Sequence, residues 1–265
     1  MTFSIVAHAD GQWGVAVASK FLGVGAMVPA ARWDVGALAT QAWANLQYAP
    51  DGMALLQEGR FAADVVEALT GKDAMREHRQ LGVVDKYGET AAWTGSECHP
   101  WAGHLHGDGW TTQGNLLAGP EVLQVIGATF VTAHGPLAKR LHAALLAGDR
   151  AGGDRRGRQS AAILVVSEAG GYGGGSDVLV DLRVDDHVDP VIELGRLLDL
   201  HHLYFGTPEE VLPLEGALEQ EVRDRVSRLG YDSLEAWAGV ENFEERLVEG
   251  CIDVLVLEQL RKQSR

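Results

Sequence analysis

Thr2, Ser19 and Lys20 are the residues whose types and spacing first suggest chemistry. They stand at the two ends of TFSIVAHADGQWGVAVASK, where Phe3, Ile5, Ala7 and Ala9 alternate with Thr2, Ser4, Val6 and His8. That alternation predicts a half-buried strand, and Trp13 to Ala18 continue as small and β-branched residues of a second strand. Asp10-Gly11 between the runs predicts a two-residue hairpin turn, because both central positions of such a turn take φ > 0. The turn fixes the register: Ala9 faces Gln12, and counting outward brings Thr2 opposite Ser19 with Lys20 beside it. Two hydroxyls, a cation and, once Met1 is removed, an α-amine then meet at one strand end. A free α-amine has a pKa of about 7.7–8.0, so on an N-terminal Thr it can take the proton of that residue's own hydroxyl near neutral pH. With Met1 in place, Thr2 is only a strand-edge residue.

Three other stretches carry reactive groups. In TTQGNLLAG, Gln113-Gly114-Asn115 joins a strand end to a helix start, and an Asn amide or loop N–H there can stabilise an oxyanion; Asn115 can equally be a turn closer. CHPWAGHLHGDGW reads as an irregular loop with Cys98, His99, His104, His106 and Asp108, but it lacks the paired Cys or His spacing of a zinc site. No metal and no cofactor is assigned. AGDRAGGDRRGRQS places Asp154 and Ser160 around a loop with Arg155 before a buried strand; it has no GxxxxGK[ST] pattern, so its arginines are no phosphate signature.

The elements that must position these groups follow from periodicity. GVGAMVPAA and VGALATQA read as strands. Helices are predicted at about Pro50 to Gln57 and Phe61 to Leu69, then a hairpin from Leu81 to Thr94. Further helices are predicted over Pro120 to Ala133 and Pro136 to Leu146, strands over Ala161 to Val166 and Val178 to Val184, and a helix over Asp189 to His202. Hairpins separated by helix pairs predict an α+β fold with two packed antiparallel sheets between helical layers, a four-layer αββα sandwich.

Bulk properties narrow the function. A net charge of −15 without a dense basic stripe argues against nucleic acid and against an anionic membrane surface. Two widely separated cysteines give no disulfide framework, and no basic leader or bilayer-length apolar run is present; the expectation is a cytoplasmic protein.

MTFSIVA, GVAVASKF, LATQAWAN, EHRQLGVVD, QGNLLAGPEV, GGDRRGRQSAAILVV and VDLRVDDHVDPVIEL, in this order, resemble the bacterial family called domain of unknown function 1028, over roughly Met1 to Leu200. That family is similar in fold to the N-terminal nucleophile hydrolases. The resemblance implies Thr2 as nucleophile, Lys20 near the basic residue of the proteasome-type second strand, and Asp154 and Ser160 as the supporting Asp and Ser. Ala18 stands where proteasome-type enzymes have an acidic residue, so the charge network around the nucleophile must differ. Ser19, Gln113 and Arg155 complete the candidate set as substrate-binding residues.

The tail changes composition to acidic and Leu/Val/Glu-rich, with helices predicted at Leu218 to Leu229, Ser233 to Ala238 and Ile252 to Leu260. RLGYDSLEAWAGVENFEERL resembles a helical module associated with peptidoglycan binding. The expected domains are 1–202, hydrolase-like, and 203–265, small and helical. Two functions stay open. One is an amidohydrolase cleaving a small C–N amide through a Thr2 acyl-enzyme. The other is a non-catalytic binding or assembly protein whose tail recognises a muropeptide-like ligand or a partner. Either is expected as a homo-oligomer.

Overall fold

Asp10 and Gly11 take φ of 52° and 71°, and the hairpin they close pairs β1 (Thr2–Ala9) with β2 (Gln12–Ser19) in the expected register, from Ala9 opposite Gln12 to Phe3 opposite Ala18. The structure is a computed structural model and describes residues 2–265. The chain forms two compact units, the first ending at Leu198 and the second running Asp199–Arg265.

In the first unit the chain continues through β3 (Pro29–Arg32), β4 (Gly36–Ala42), α1 (Tyr48–Gln57), α2 (Ala62–Gly71), β5 (Arg79–Asp85), β6 (Thr90–Thr94), β7 (Gly103–Gly107) and β8 (Trp110–Asn115). It then forms α3 (Glu121–Thr132), α4 (Leu137–Arg150), β9 (Ser160–Val166), β10 (Val178–Val184) and the start of α5 (Pro190–Phe205). One sheet has the order β10-β9-β2-β1-β8-β7 and the other β3-β4-β5-β6, and every neighbouring pair is antiparallel.

Three apolar cores hold four layers together. Phe3, Ile5, Ile163 and Val165 pack against Leu123, Ile126, Leu141 and Leu194 of α3, α4 and α5. Leu38, Leu81 and Val83 pack against Leu56, Val65 and Leu69 of α1 and α2. Between the sheets lie Val6, Val15, Val17, Ala37, Ala39 and Val84. Each fully buried aliphatic side chain contributes about 1.5–3 kcal/mol, so the αββα order is the arrangement that removes both faces of both sheets from water.

Sequence periodicity fails at four places. β1 is not half-buried: its Thr2 and Ser4 side is as inaccessible as its Phe3 and Ile5 side, because it faces the second sheet rather than solvent. GVGAMVPAA is mostly not strand; Val24–Ala26 is a short 3-10 turn and only Pro29–Arg32 pairs. The His-rich segment is not a loop, since Gly103–Gly107 is an edge strand on β8. Gln113-Gly114-Asn115 likewise belongs to β8 itself.

The second unit contains the end of α5, β11 (Val211–Pro213), α6 (Gly216–Arg228), α7 (Leu234–Val240), β12 (Cys251–Asp253) and α8 (Val254–Gln263), around Val222, Val226, Trp237, Phe243 and Leu260. Its centre is an ion pair. Arg246, fully buried, donates to Asp253 at 2.8 Å and to the His202 and Leu203 carbonyls, while Asp253 caps α8 by accepting from the Leu255 and Val256 N–H groups. Among the described residues no helix is long and apolar enough to cross a membrane.

Candidate functional site

Thr2 begins β1 in the interior of the six-stranded sheet, between β2 and β8. Its Oγ1 lies 3.2 Å from Ser19 Oγ, and its Cα pairs with that of Asn115. The side chain is 6% exposed. Thr2, Ser19 and Asn115, three residues far apart in sequence, therefore share one sheet end. Met1, whose removal the hydrolase reading requires, lies outside the described residues.

Asn115 is held by a buried polar seam between the sheets. Its Nδ2 donates to Gln80 Oε1 at 3.0 Å, and the same oxygen accepts from Gln41 Nε2 at 2.8 Å. Gln80 Nε2 is shared among the carbonyls of Gly114 and Gly103 and the Thr94 hydroxyl. Gln41 Nε2 also approaches the Thr2 carbonyl, and Gln41 Oε1 accepts from Ser4 Oγ at 2.7 Å. Ser4 Oγ in turn accepts from Gln113 Nε2 at 2.6 Å. Ser4, Gln41, Gln80, Gln113 and Asn115 are all inaccessible to solvent, so each bond made among them prevents the desolvation cost of an unpaired polar group, about 1–3 kcal/mol. Gly82 is required beside them: a Cβ there would sit 2.1 Å from Gln113 Oε1.

The other candidates occupy distinct places. Gln113 belongs to the seam. Lys20 donates from its backbone N–H to Asp154 Oδ2 at 2.7 Å, but its ammonium is exposed and donates to the Arg158 carbonyl. Among the described residues no hydrogen bond joins that ammonium to Thr2. Asp154 is buried and also accepts from the Arg156 N–H and guanidinium. Arg155 is exposed, with its N–H on the Leu116 carbonyl. Ser160 pairs across β2 with Ser19 and uses its hydroxyl to pin the Phe21–Val24 turn, donating to Phe21 O and accepting from Val24 N. Asp154 and Ser160 thus brace the loop after β2 rather than contact the Thr2 hydroxyl.

A cleft of about 430 Å³ opens at this end, with Asn115, Cys98 and His99 among its lining residues and Phe21, Met27, Trp43 and Leu46 around them. Burial pushes the Cys98 thiol up, with the Glu77 charge in the same direction, so it stays protonated near neutral pH. Two non-glycine residues flank the site in the left-handed region, Ala42 at φ 69° after Gln41 and Leu116 at φ 52° after Asn115. Each such residue costs about 1–3 kcal/mol, a strain that persists only where the surroundings enforce it. His104 faces Thr94 at 2.9 Å, and burial with His106 nearby lowers its pKa. Among the described residues no three His, Cys, Asp or Glu side chains are grouped to hold a metal ion.

Sequence reasoning missed Gln41, Gln80 and Ser4. A signal was present: Ala37, Ala39 and Gln41 share one face of β4, and Gln80, Gly82 and Val84 one face of β5, so small residues ending in Gln marked a sheet-to-sheet contact.

The model of the "Family of unknown function (DUF1028)" matches residues 2–194, and that of the "Putative peptidoglycan binding domain" matches residues 204–260. A crystal structure of a DUF1028 protein from Silicibacter pomeroyi is similar with a TM-score of 0.69 at 30% sequence identity, covering 83% of this chain and 89% of that chain. No curated protein matches the chain.

Proposed function

The chain belongs to the DUF1028 family, and from that premise we propose that it is an N-terminal-nucleophile amidohydrolase cleaving a small C–N amide at Thr2. The observation that carries the reading is buried Thr2, whose Oγ1 lies beside Ser19 Oγ and whose Cα pairs with that of Asn115, a residue in the wall of a cleft. With Met1 removed, the Thr2 amine takes the proton from Oγ1 as that oxygen attacks the carbonyl carbon, and the carbonyl electron pair moves onto oxygen. Asn115 has a second amide N–H beyond the one given to Gln80, and that donor receives the oxyanion. The ammonium then protonates the leaving nitrogen as the C–N bond breaks, leaving an ester on Thr2 that water hydrolyses by the same proton path. The Lys20 ammonium, hydrogen-bonded to the Arg158 carbonyl and not to Thr2, takes no part in this proton path.

Two measurements test this. Natively produced protein should have an intact mass lacking Met1, and Thr2→Ala should remain folded while losing amide turnover by at least about 10³-fold. Retained Met1, or turnover unchanged in the variant, rejects the assignment.

A second reading, a binding protein on the same scaffold, draws support from the neutral partners of the Thr2 hydroxyl and carbonyl, Ser19 and Gln41. In either reading the Asp199–Arg265 unit recognises a muropeptide-like ligand. A groove of about 570 Å³ there offers Arg223, Glu219, Asp232 and Glu235 with Tyr231, groups that suit a peptide carrying both amines and carboxylates. The two free thiols, Cys98 and Cys251, agree with a reducing cytoplasm as the place of action.

A further inference from the structure

The cleft beside Asn115 has walls whose chemistry selects its occupant. Trp43 is 67% exposed, Leu46 52%, Phe21 46% and Met27 41%, and all four line this one cleft rather than being scattered singly over the surface. A cluster of exposed large apolar side chains in a concavity marks a binding site. The Trp43 ring is held there by its backbone: its N–H donates to the His78 carbonyl, its own carbonyl accepts from Arg79, and its ring lies 5.7 Å from that of His78. Ala42, in the left-handed conformation, sits between buried Gln41 and exposed Trp43, at the point where the chain leaves the sheet. Phe21 is fixed from the other side, since its carbonyl accepts the Ser160 hydroxyl. Asn115 stands in the same wall, and its Cα pairs with that of Thr2 on β1.

We infer that this cleft binds the acyl side of the amide and selects an apolar, aromatic-sized acyl group over a short one, with Trp43 and Phe21 as the specificity-determining residues. This rests on the reading of Thr2 as nucleophile, for which Asn115 marks the reacting end of the cleft. A protein partner or a second copy of the chain would use the same apolar residues as a flat contact. The concavity, and Asn115 as the oxyanion donor in its wall, favour the acyl group.

The test uses the full chain and two amides with identical heads, 3-phenylpropanamide and propanamide, in isothermal titration against wild type, Thr2→Ala, Trp43→Ala and Phe21→Ala. Burial of the ring predicts binding of 3-phenylpropanamide at least about tenfold tighter than of propanamide. Thr2→Ala should keep that preference, and Trp43→Ala or Phe21→Ala should each reduce it several-fold with an unchanged melting temperature, both side chains being exposed. Equal affinity for the two amides overturns the inference even if turnover is seen. Preference retained in both aromatic variants does the same, as does a concentration-dependent dimer abolished by Trp43→Ala. Absence of turnover with the preference intact overturns instead the nucleophile reading, so the two failures are separable.

Discussion

Gln80 accepts two N–H groups and spreads its own over three acceptors, so replacing it disturbs β4, β6, β7 and β8 together. Gln80→Met, close in shape, should strand the Asn115 amide, remove the shortest partner of the Gln41 amide and lower stability by about 2–3 kcal/mol, as read from urea unfolding. A loss below about 1 kcal/mol would show that the seam rearranges around the new side chain. Such residues are poorly legible in sequence, because a Gln beside apolar strands reads as a surface position. Whether it faces water or another sheet is decided by segments far away in the chain. Thr2 and Ser19 were legible for the opposite reason: Asp10-Gly11 is local and determines what lies across the hairpin.

Between elements, the same contrast holds. Hairpins, helix pairs and the αββα order were legible because Pro, Gly and apolar spacing act within a few residues. β7 was not, since GHLHG has neither alternation nor β-branched residues and is a strand only because β8 offers it a ladder. In the second unit, Glu221 joins α6 to α8 by hydrogen bonds from Arg261 and, within its own helix, from Arg225, and these hold its pKa down to about 2 against the opposing effect of burial. Because this carboxyl ionises more readily in the folded chain, its stabilisation is present in full above the ordinary Glu value of about 4.3 and is lost as pH falls from there towards about 2. Glu221→Gln should therefore melt about 2–6 °C below wild type at pH 7, and the two curves should converge on acidification. A gap independent of pH would assign the effect to packing instead.

For the whole molecule, the two units have separate apolar cores, although α5 supplies residues to both. Calorimetry of the full chain should resolve two transitions. Arg246→Leu, which leaves Asp253 buried without its partner, should cost about 3–5 kcal/mol in one of them, and Gln80→Met should lower only the other. A single transition shifted by both variants would show that the units unfold as one. The tail's composition changes along α5, which runs through the change without a break. The glutamine seam carries a further consequence, for how the lineage can drift. Each seam side chain answers to several others, so one exchange strands its neighbours and a lone replacement is purged before its compensating partner arises. Descendants should keep Ser4, Gln41, Gln80, Gln113 and Asn115 as a set or lose them as a set, whatever happens to the amide that the cleft accepts.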